Sequence, residues 1–133
     1  MGIDAACVLP DAFAPRVAKN AGDPSDADGL SVYRASFHSP EEIACLLRTG
    51  GSQPVWIAQL TAADVFALGL SIKPDPLPAE SHPRGIVQPG HALLVELHSG
   101  EAKTARGLEW KQALAALANS LPRFGPFAPP PAI

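Results

Sequence analysis

Apolar and polar residues alternate from Leu30 to Phe37, with Leu30, Val32, Arg34 and Ser36 on one side and Ser31, Tyr33, Ala35 and Phe37 on the other. This two-residue period predicts a strand. The period then changes. Ser39-Pro40-Glu41-Glu42 supplies a capping serine, a proline at the first helical position and a glutamate at the third, which predicts a helix to about Arg48. Thr49-Gly50-Gly51 would end that helix, whose buried face would hold Ile43, Leu46 and Leu47. A second strand is expected over 53–60, where Val55, Trp56, Ile57, Ala58 and Leu60 put apolar groups on both sides and suggest a central position. Thr61-Ala62-Ala63-Asp64 repeats the capping pattern before a short helix with Val65, Phe66 and Leu68, ended by Gly69. Leu70-Ser71-Ile72-Lys73 reads as a third strand.

From Pro74 to Gly90 the chain carries Pro74, Pro76, Pro78, Pro83 and Pro89, a long loop in which prolines remove backbone donors. It leads into Gln88-Pro89-Gly90-His91-Ala92-Leu93-Leu94-Val95-Glu96-Leu97, where a turn dipeptide opens the clearest strand. Alternation would put His91 with Leu93, Val95 and Leu97, so that an imidazole starts an apolar face, and Ala92, Leu94, Glu96 and His98 on the other. The longest helix is expected over Ala102 to Leu121. Its stripe would be Trp110, Leu114, Leu117 and Leu121, filled in by Ala113 and Ala118, with Gly107 weakening the first turns by about 1 kcal/mol relative to alanine.

These elements predict an α+β fold: a small mixed sheet of about four strands, two short helices and a longer C-terminal helix packed across it. The expected organisation is an irregular lead-in over 1–29, a single domain over 30–121 and a proline-rich tail over 122–133. Within the lead-in, Asp11 to Ala14 and Val17 are expected to lay a short extended piece or turn on the core. The tail is expected to be extended, either docking Phe124 and Phe127 or offering a polyproline ligand. At 133 residues one core suffices.

Composition narrows the function classes. The net charge is −3 and the ten Lys and Arg residues are scattered, which argues against nucleic acid and anionic membrane surfaces as partners. No apolar run approaches the roughly 20 residues of a membrane span, and the N-terminus has no basic and apolar signal pattern. A cytoplasmic protein is expected. Cys7 and Cys45 fit reduced thiols best, with a disulfide between them left open.

No stretch amounts to a catalytic or binding signature. His38, His82, His91 and His98 lack zinc-site spacing, so no metal and no cofactor is expected. The acidic run from Asp23 to Asp28 lacks the ligand spacing of an EF-hand and reads as a solvated loop. There is no G-x-S-x-G, and the serines, Ser31 among them, read as caps or turns; Gly50-Gly51-Ser52 follows a helix and so is no phosphate loop. The candidates are His91 and Arg34 for catalysis, and Tyr33, Arg34, His82, Arg84 and His91 for ligand binding beneath the proline-rich loop. Neutral imidazole both donates and accepts, so His91 suits a structural role as well as a general base. Alternation sets Glu96 on the opposite face from His91, so its partner must come from another segment.

Leu30-Ser31-Val32-Tyr33-Arg34-Ala35-Ser36, followed by a short helix ending in Thr49-Gly50-Gly51, resembles the opening strand and helix of ADP-ribosyltransferase-type toxins. That resemblance implies NAD held by Arg34, with Glu96 as the glutamate ending the site. A broader likeness runs from 28 to 97. Asp28-Gly29-Leu30-Ser31-Val32, Ser39-Pro40-Glu41-Glu42, Leu68-Gly69-Leu70 running into Pro74-Asp75-Pro76, and Pro89-Gly90-His91-Ala92 resemble, in that order, a set of small bacterial proteins without an assigned activity. It implies a bacterial origin and one α+β unit. The favoured expectation is a non-enzymatic protein-binding module of a bacterial cytoplasmic system, in a defence, toxin or immunity setting. The competing one is a small enzyme or nucleotide-binding protein of ADP-ribosyltransferase-like type using Arg34 and His91.

Overall fold

A computed structural model describes residues 3, 7–15, 26–47, 55–82, 84–101 and 103–128. The expected stop at Thr49-Gly50-Gly51, the acidic loop before Asp26 and the prolines at 129–131 lie outside the described residues. The protein is α+β, with a longer helix towards the C-terminus. Ser39 opens α1 (Pro40–Leu47): its Oγ accepts from the Glu42 amide at 3.2 Å and its carbonyl from the Ile43 amide at 3.0 Å. The helix buries Ile43, Ala44 and Leu46, but Leu47, expected on that face, is 49% exposed. In α2 (Ala62–Ala67) the Thr61 hydroxyl donates to Asp64 Oδ2 at 2.6 Å and caps no amide.

Strands β1 (Leu30–Tyr33), β3 (Ile72–Pro74) and β4 (His91–Leu94) form an antiparallel sheet in the order β1-β4-β3. The register pairs Tyr33 with His91, Ser31 with Leu93 and Lys73 with Leu93. The single mixed sheet expected from sequence is instead two antiparallel ones, because β2 (Val55–Ile57) pairs with β5 (Phe124–Phe127) from the proline-rich tail. Strand β2 is therefore not central; all three of its residues are half-buried, and its apolar character on both sides does not come from two flanking strands. Pro126 fits β5 because, among the described residues, this strand pairs on one side and needs no second row of donors.

One face of the three-stranded sheet carries Ala92 and Leu94, both essentially inaccessible, with Leu30, Val32 and Ile72 packed beside them. The core continues through Val65, Leu70, Leu97, Trp110 and Leu114 and takes in Val8 and Phe13 from the lead-in. A 3-10 turn over Pro10–Phe13 packs on α3 (Ala105–Asn119), and Asn119 exchanges two 2.8 Å hydrogen bonds with the Val8 backbone. The expected short turn on the core is thus present. Helix α3 begins after Ala102 because Thr104 is its cap, accepting from the Gly107 amide at 3.0 Å, and the chain before it forms another 3-10 turn over Ser99–Glu101. Its buried stripe is Gly107, Trp110, Leu114, Ala115 and Ala118; Ala113, Leu117 and Leu121 are only half-buried.

Strand β4 stops at Leu94, three residues earlier than its apolar run, when the Leu97 amide turns back to the Leu94 carbonyl at 3.1 Å. The turn swings Leu97 into the core and Glu96 to the start of the Ser71 segment, where its carboxylate accepts from the Ser71 amide and hydroxyl, both at 2.7 Å. Partial burial resists ionisation of Glu96, but the Ser71 hydrogen bonds, its own amide and the Arg106 charge outweigh it and hold the carboxyl below its ordinary value of 4.5. A carboxyl depressed on folding stabilises fully above its unfolded value and loses that contribution as pH falls through the folded one. Glu96→Gln is therefore expected to lower stability by roughly 0.5–1 kcal/mol at neutral pH. In urea titrations the gap from the wild type should narrow as pH falls below 4.5; a gap that stays constant into acid would contradict this account.

Candidate functional site

The chemistry-bearing side chains gather around the loop from Asp75 to Gly90. Its two arms are bridged by Leu77 and Gln88, whose amides donate to each other's carbonyls at 3.0 and 2.9 Å. From β1, the Tyr33 hydroxyl donates to Gln88 Oε1 at 2.5 Å. Arg34 lies one residue past β1. Its amide and Nε donate to the Gly90 carbonyl at 3.0 and 3.4 Å, and Nη2 donates to the Pro89 carbonyl at 2.9 Å. The guanidinium also lies over the Phe37 ring, 4.3 Å from its centroid. At the loop's crest, Arg84 Nη2 donates to the Cys45 carbonyl, and His82 faces the Leu46 carbonyl at 2.9 Å. Both carbonyls belong to the last turn of α1, where cationic or N–H side chains satisfy groups that the helix leaves open.

Hydrogen-bond partners fix the neutral tautomer of each of the four histidines. His38 Nε2 accepts from the Gly90 amide at 2.9 Å, so its N–H is on Nδ1, facing Glu42 Oε2 at 3.7 Å. His82 Nδ1 accepts from the Arg84 amide, which leaves Nε2–H to donate to Leu46. His98 Nδ1 accepts from the Gly100 amide at 3.1 Å. His91 shares the His38 tautomer: Nδ1 lies 3.0 Å from the Asp75 carbonyl, which only accepts, so Nδ1 carries the hydrogen and Nε2 is bare. Facing Nε2 at 3.0 Å is Ser31 Oγ, which therefore donates. The Asp75 carboxylate stands 3.2 Å from the same Nδ1. His91 is 5% exposed, with the Tyr33 ring edge-on at 5.5 Å.

His91 thus does not start an apolar face. The core face of β4 is that of Ala92 and Leu94, and His91 shares the outer face with Leu93, Ser31, Tyr33 and Asp75. Arg34 lies on the other side of the sheet, where it lines a cavity of about 520 Å³ with Val32, Ile43, Leu60, Val65 and Leu94. His91 and Arg34 do not converge on one ligand position. Tyr33 and His91 are brought together, His82 and Arg84 form a separate pair on α1, and Glu96 is with Ser71. Sequence reasoning missed Asp75 and Ser31. No local signal marks Asp75: it meets His91 only because the segment leaving β3 pairs antiparallel with the start of β4, where the Asp75 amide donates to the His91 carbonyl at 2.9 Å.

A second, shallower depression of about 330 Å³ lies between α1 and the loop, lined by His38, Glu42, Cys45, Leu46, Ile86 and Pro89 and rimmed by Phe37 and Val87. Phe37 is 48% exposed and Val87 59%. Gly90 packs directly against two of its lining residues, since a Cβ there would stand 2.4 Å from the His38 ring and 2.6 Å from Phe37 Cβ. No group of three His, Cys, Asp or Glu that could hold a metal ion occurs among the described residues, and no helix among them is long and apolar enough to cross a membrane.

The fold and its loop define a small α+β protein with a pinned, proline-rich loop over its central strand. In comparisons with known proteins, no family model, no curated protein and no solved structure matches the chain.

Proposed function

We propose that the chain is a protein-binding module whose partner docks on the face made by α1 and the loop from 84 to 90. The observation that carries this reading is the pair Phe37 and Val87, large apolar side chains about half exposed on either side of the depression, with Leu47 similarly exposed on α1. Apolar groups held in the open around a concavity mark interaction surfaces. Their support is rigid. Tyr33, Arg34, His38, His82 and Arg84 each bond to the loop or tie it to α1, so little ordering entropy remains to be lost on binding. The same bonds weigh against a nucleotide clamp at Arg34, whose donors already serve Pro89 and Gly90.

The test is affinity capture from the native host with the wild-type chain and with the double variant Phe37→Asp, Val87→Asp. The wild type should retain a partner, and the variant, with unchanged circular dichroism, should bind it at least about 100-fold more weakly, the loss of two central anchors. A wild-type chain that retains nothing and sediments as a monomer at every concentration would overturn the reading, as would a variant that binds equally well.

A further inference from the structure

On the outer face of the sheet, away from the depression, Ser31, His91 and Asp75 form a continuous relay. We propose that Ser31 is a nucleophile, activated by His91 as general base and oriented through Asp75, that accepts the acyl group of a small carboxylic ester.

His91 is held in the tautomer that a general base needs. An imidazole activates a hydroxyl only if the nitrogen facing it is unprotonated, and at His91 the Asp75 carbonyl enforces that by holding the hydrogen on Nδ1. The Ser31 hydroxyl, 3.0 Å from Nε2, already points its proton at the base. When that proton transfers, the imidazolium formed is met by the Asp75 carboxylate 3.2 Å from Nδ1. A hydroxyl used only as packing needs none of this ordering.

Exposure is graded in the order the chemistry needs. His91 is 5% exposed, Ser31 is half-buried and reaches the surface, and the Asp75 side chain is 41% exposed. On this proposal an acyl donor approaches Oγ from the solvent side of β1, with its alkyl part along Leu93, the half-buried neighbour opposite Ser31.

Strand geometry supplies an oxyanion donor. Antiparallel pairs alternate between hydrogen-bonded and non-bonded residues. The Arg34 amide bonds to Gly90, which makes Val32–Ala92 and Leu30–Leu94 the bonded pairs and turns the Ser31 amide away from β4. In the order β1-β4-β3, that amide faces the outer edge of β1, next to its own nucleophile.

In the first step a bond forms between Ser31 Oγ and the ester carbonyl carbon while the hydroxyl proton moves to His91 Nε2. Collapse breaks the bond to the alkoxy oxygen, which leaves as the alcohol with the proton from Nε2. Water, deprotonated by the same nitrogen, then releases the carboxylic acid and restores Ser31. No oxidant, reductant or metal is needed.

The test uses the full chain and two probes, a fluorophosphonate and p-nitrophenyl butyrate. The fluorophosphonate forms an Oγ–P bond with loss of fluoride, read as an adduct mass on the Ser31 peptide. The expected result is one adduct on Ser31, absent in Ser31→Ala and formed about 1000-fold more slowly in His91→Gln. Asp75 is a positioning residue on the surface, and Asp75→Asn keeps the test decisive if His91→Gln does not fold. It should lower kcat on p-nitrophenyl butyrate about 100-fold with KM unchanged, because the carboxylate acts only once the imidazolium exists. No adduct at Ser31, labelling spread over other serines, or rates indifferent to Asp75→Asn would overturn the proposal.

Discussion

Trp110→Ala is expected to be among the most damaging single truncations, destabilising by about 3–5 kcal/mol and lowering Tm by roughly 10–20 °C. Trp110 is 7% exposed at the centre of the α3 stripe, packed with Val65, Leu70, Leu94 and Leu114. Three losses act together. The indole is the largest side chain in that cluster, and its removal leaves a void among Val65, Leu70, Leu94 and Leu114. Its Nε1 donates to the Leu68 carbonyl at 3.1 Å, fixing the end of α2 against α3, and that carbonyl would lose its partner. The guanidinium of Arg106, 4.5 Å from the ring centroid, would lose its aromatic seat. Trp110→Phe, which keeps most of the area, should cost about 1–2 kcal/mol. Urea unfolding of both variants checks the account, and a Trp110→Ala midpoint close to that of the wild type would remove the indole from the core.

Local signals were legible where local chemistry decides the outcome. Ser39 with Pro40 set the start of α1, and Trp110 with Leu114 gave the main axis of the α3 stripe. Non-local pairing was not. Nothing near Val55 reports that its backbone partner is Phe127; the tail reads as extended, but no local signal says that Gly125-Pro126 sits in a paired strand. The apolar run to Leu97 looked like a strand because Leu97 is a core residue, but it enters the core from a turn. Burial was legible there and conformation was not.

At the site the same distinction holds. Alternation rightly separated His91 from Glu96, though the reason differs: β4 has ended before Glu96. His91 was recognised as needing a partner from another segment, but naming Asp75 and Ser31 requires the register of both neighbouring strands at once. An arginine inside a strand candidate reads as an anion clamp, whereas for Arg34 the loop's own carbonyls are acceptors close enough to take it. Proline removes amide donors from the loop but leaves all its carbonyls. Those carbonyls take donors from Arg34 and His91, while Tyr33 holds the Gln88 side chain and the loop's own His82 and Arg84 donate to α1, so all five residues that suggested chemistry serve to fix the loop.

Gly107→Ala reverses the sign expected from helix propensity, under which alanine would gain about 1 kcal/mol in the first turn of α3. The position is not open. A Cβ on Gly107 would stand 1.9 Å from the Glu101 carbonyl oxygen and 3.2 Å from Thr104 Oγ1. That oxygen is backbone and is held in place, accepting from the Thr104 amide at 3.2 Å and the Thr104 hydroxyl at 3.0 Å. To admit the methyl group, the turn over Ser99–Glu101 must move off the helix, and the movement pulls Thr104 from the Gly107 amide it caps. Overpacking against backbone costs about 1–3 kcal/mol and a lost cap about 1 kcal/mol, so after the propensity gain a net destabilisation of about 1–3 kcal/mol is expected. Because Ser99 is tied to the chain before β1 through the Asp26 carbonyl at 2.9 Å, the disturbance should spread as faster amide exchange at Ser99 and Gly29. A Gly107→Ala variant more stable than the wild type in urea would show that the turn yields freely and that propensity alone governs the start of α3.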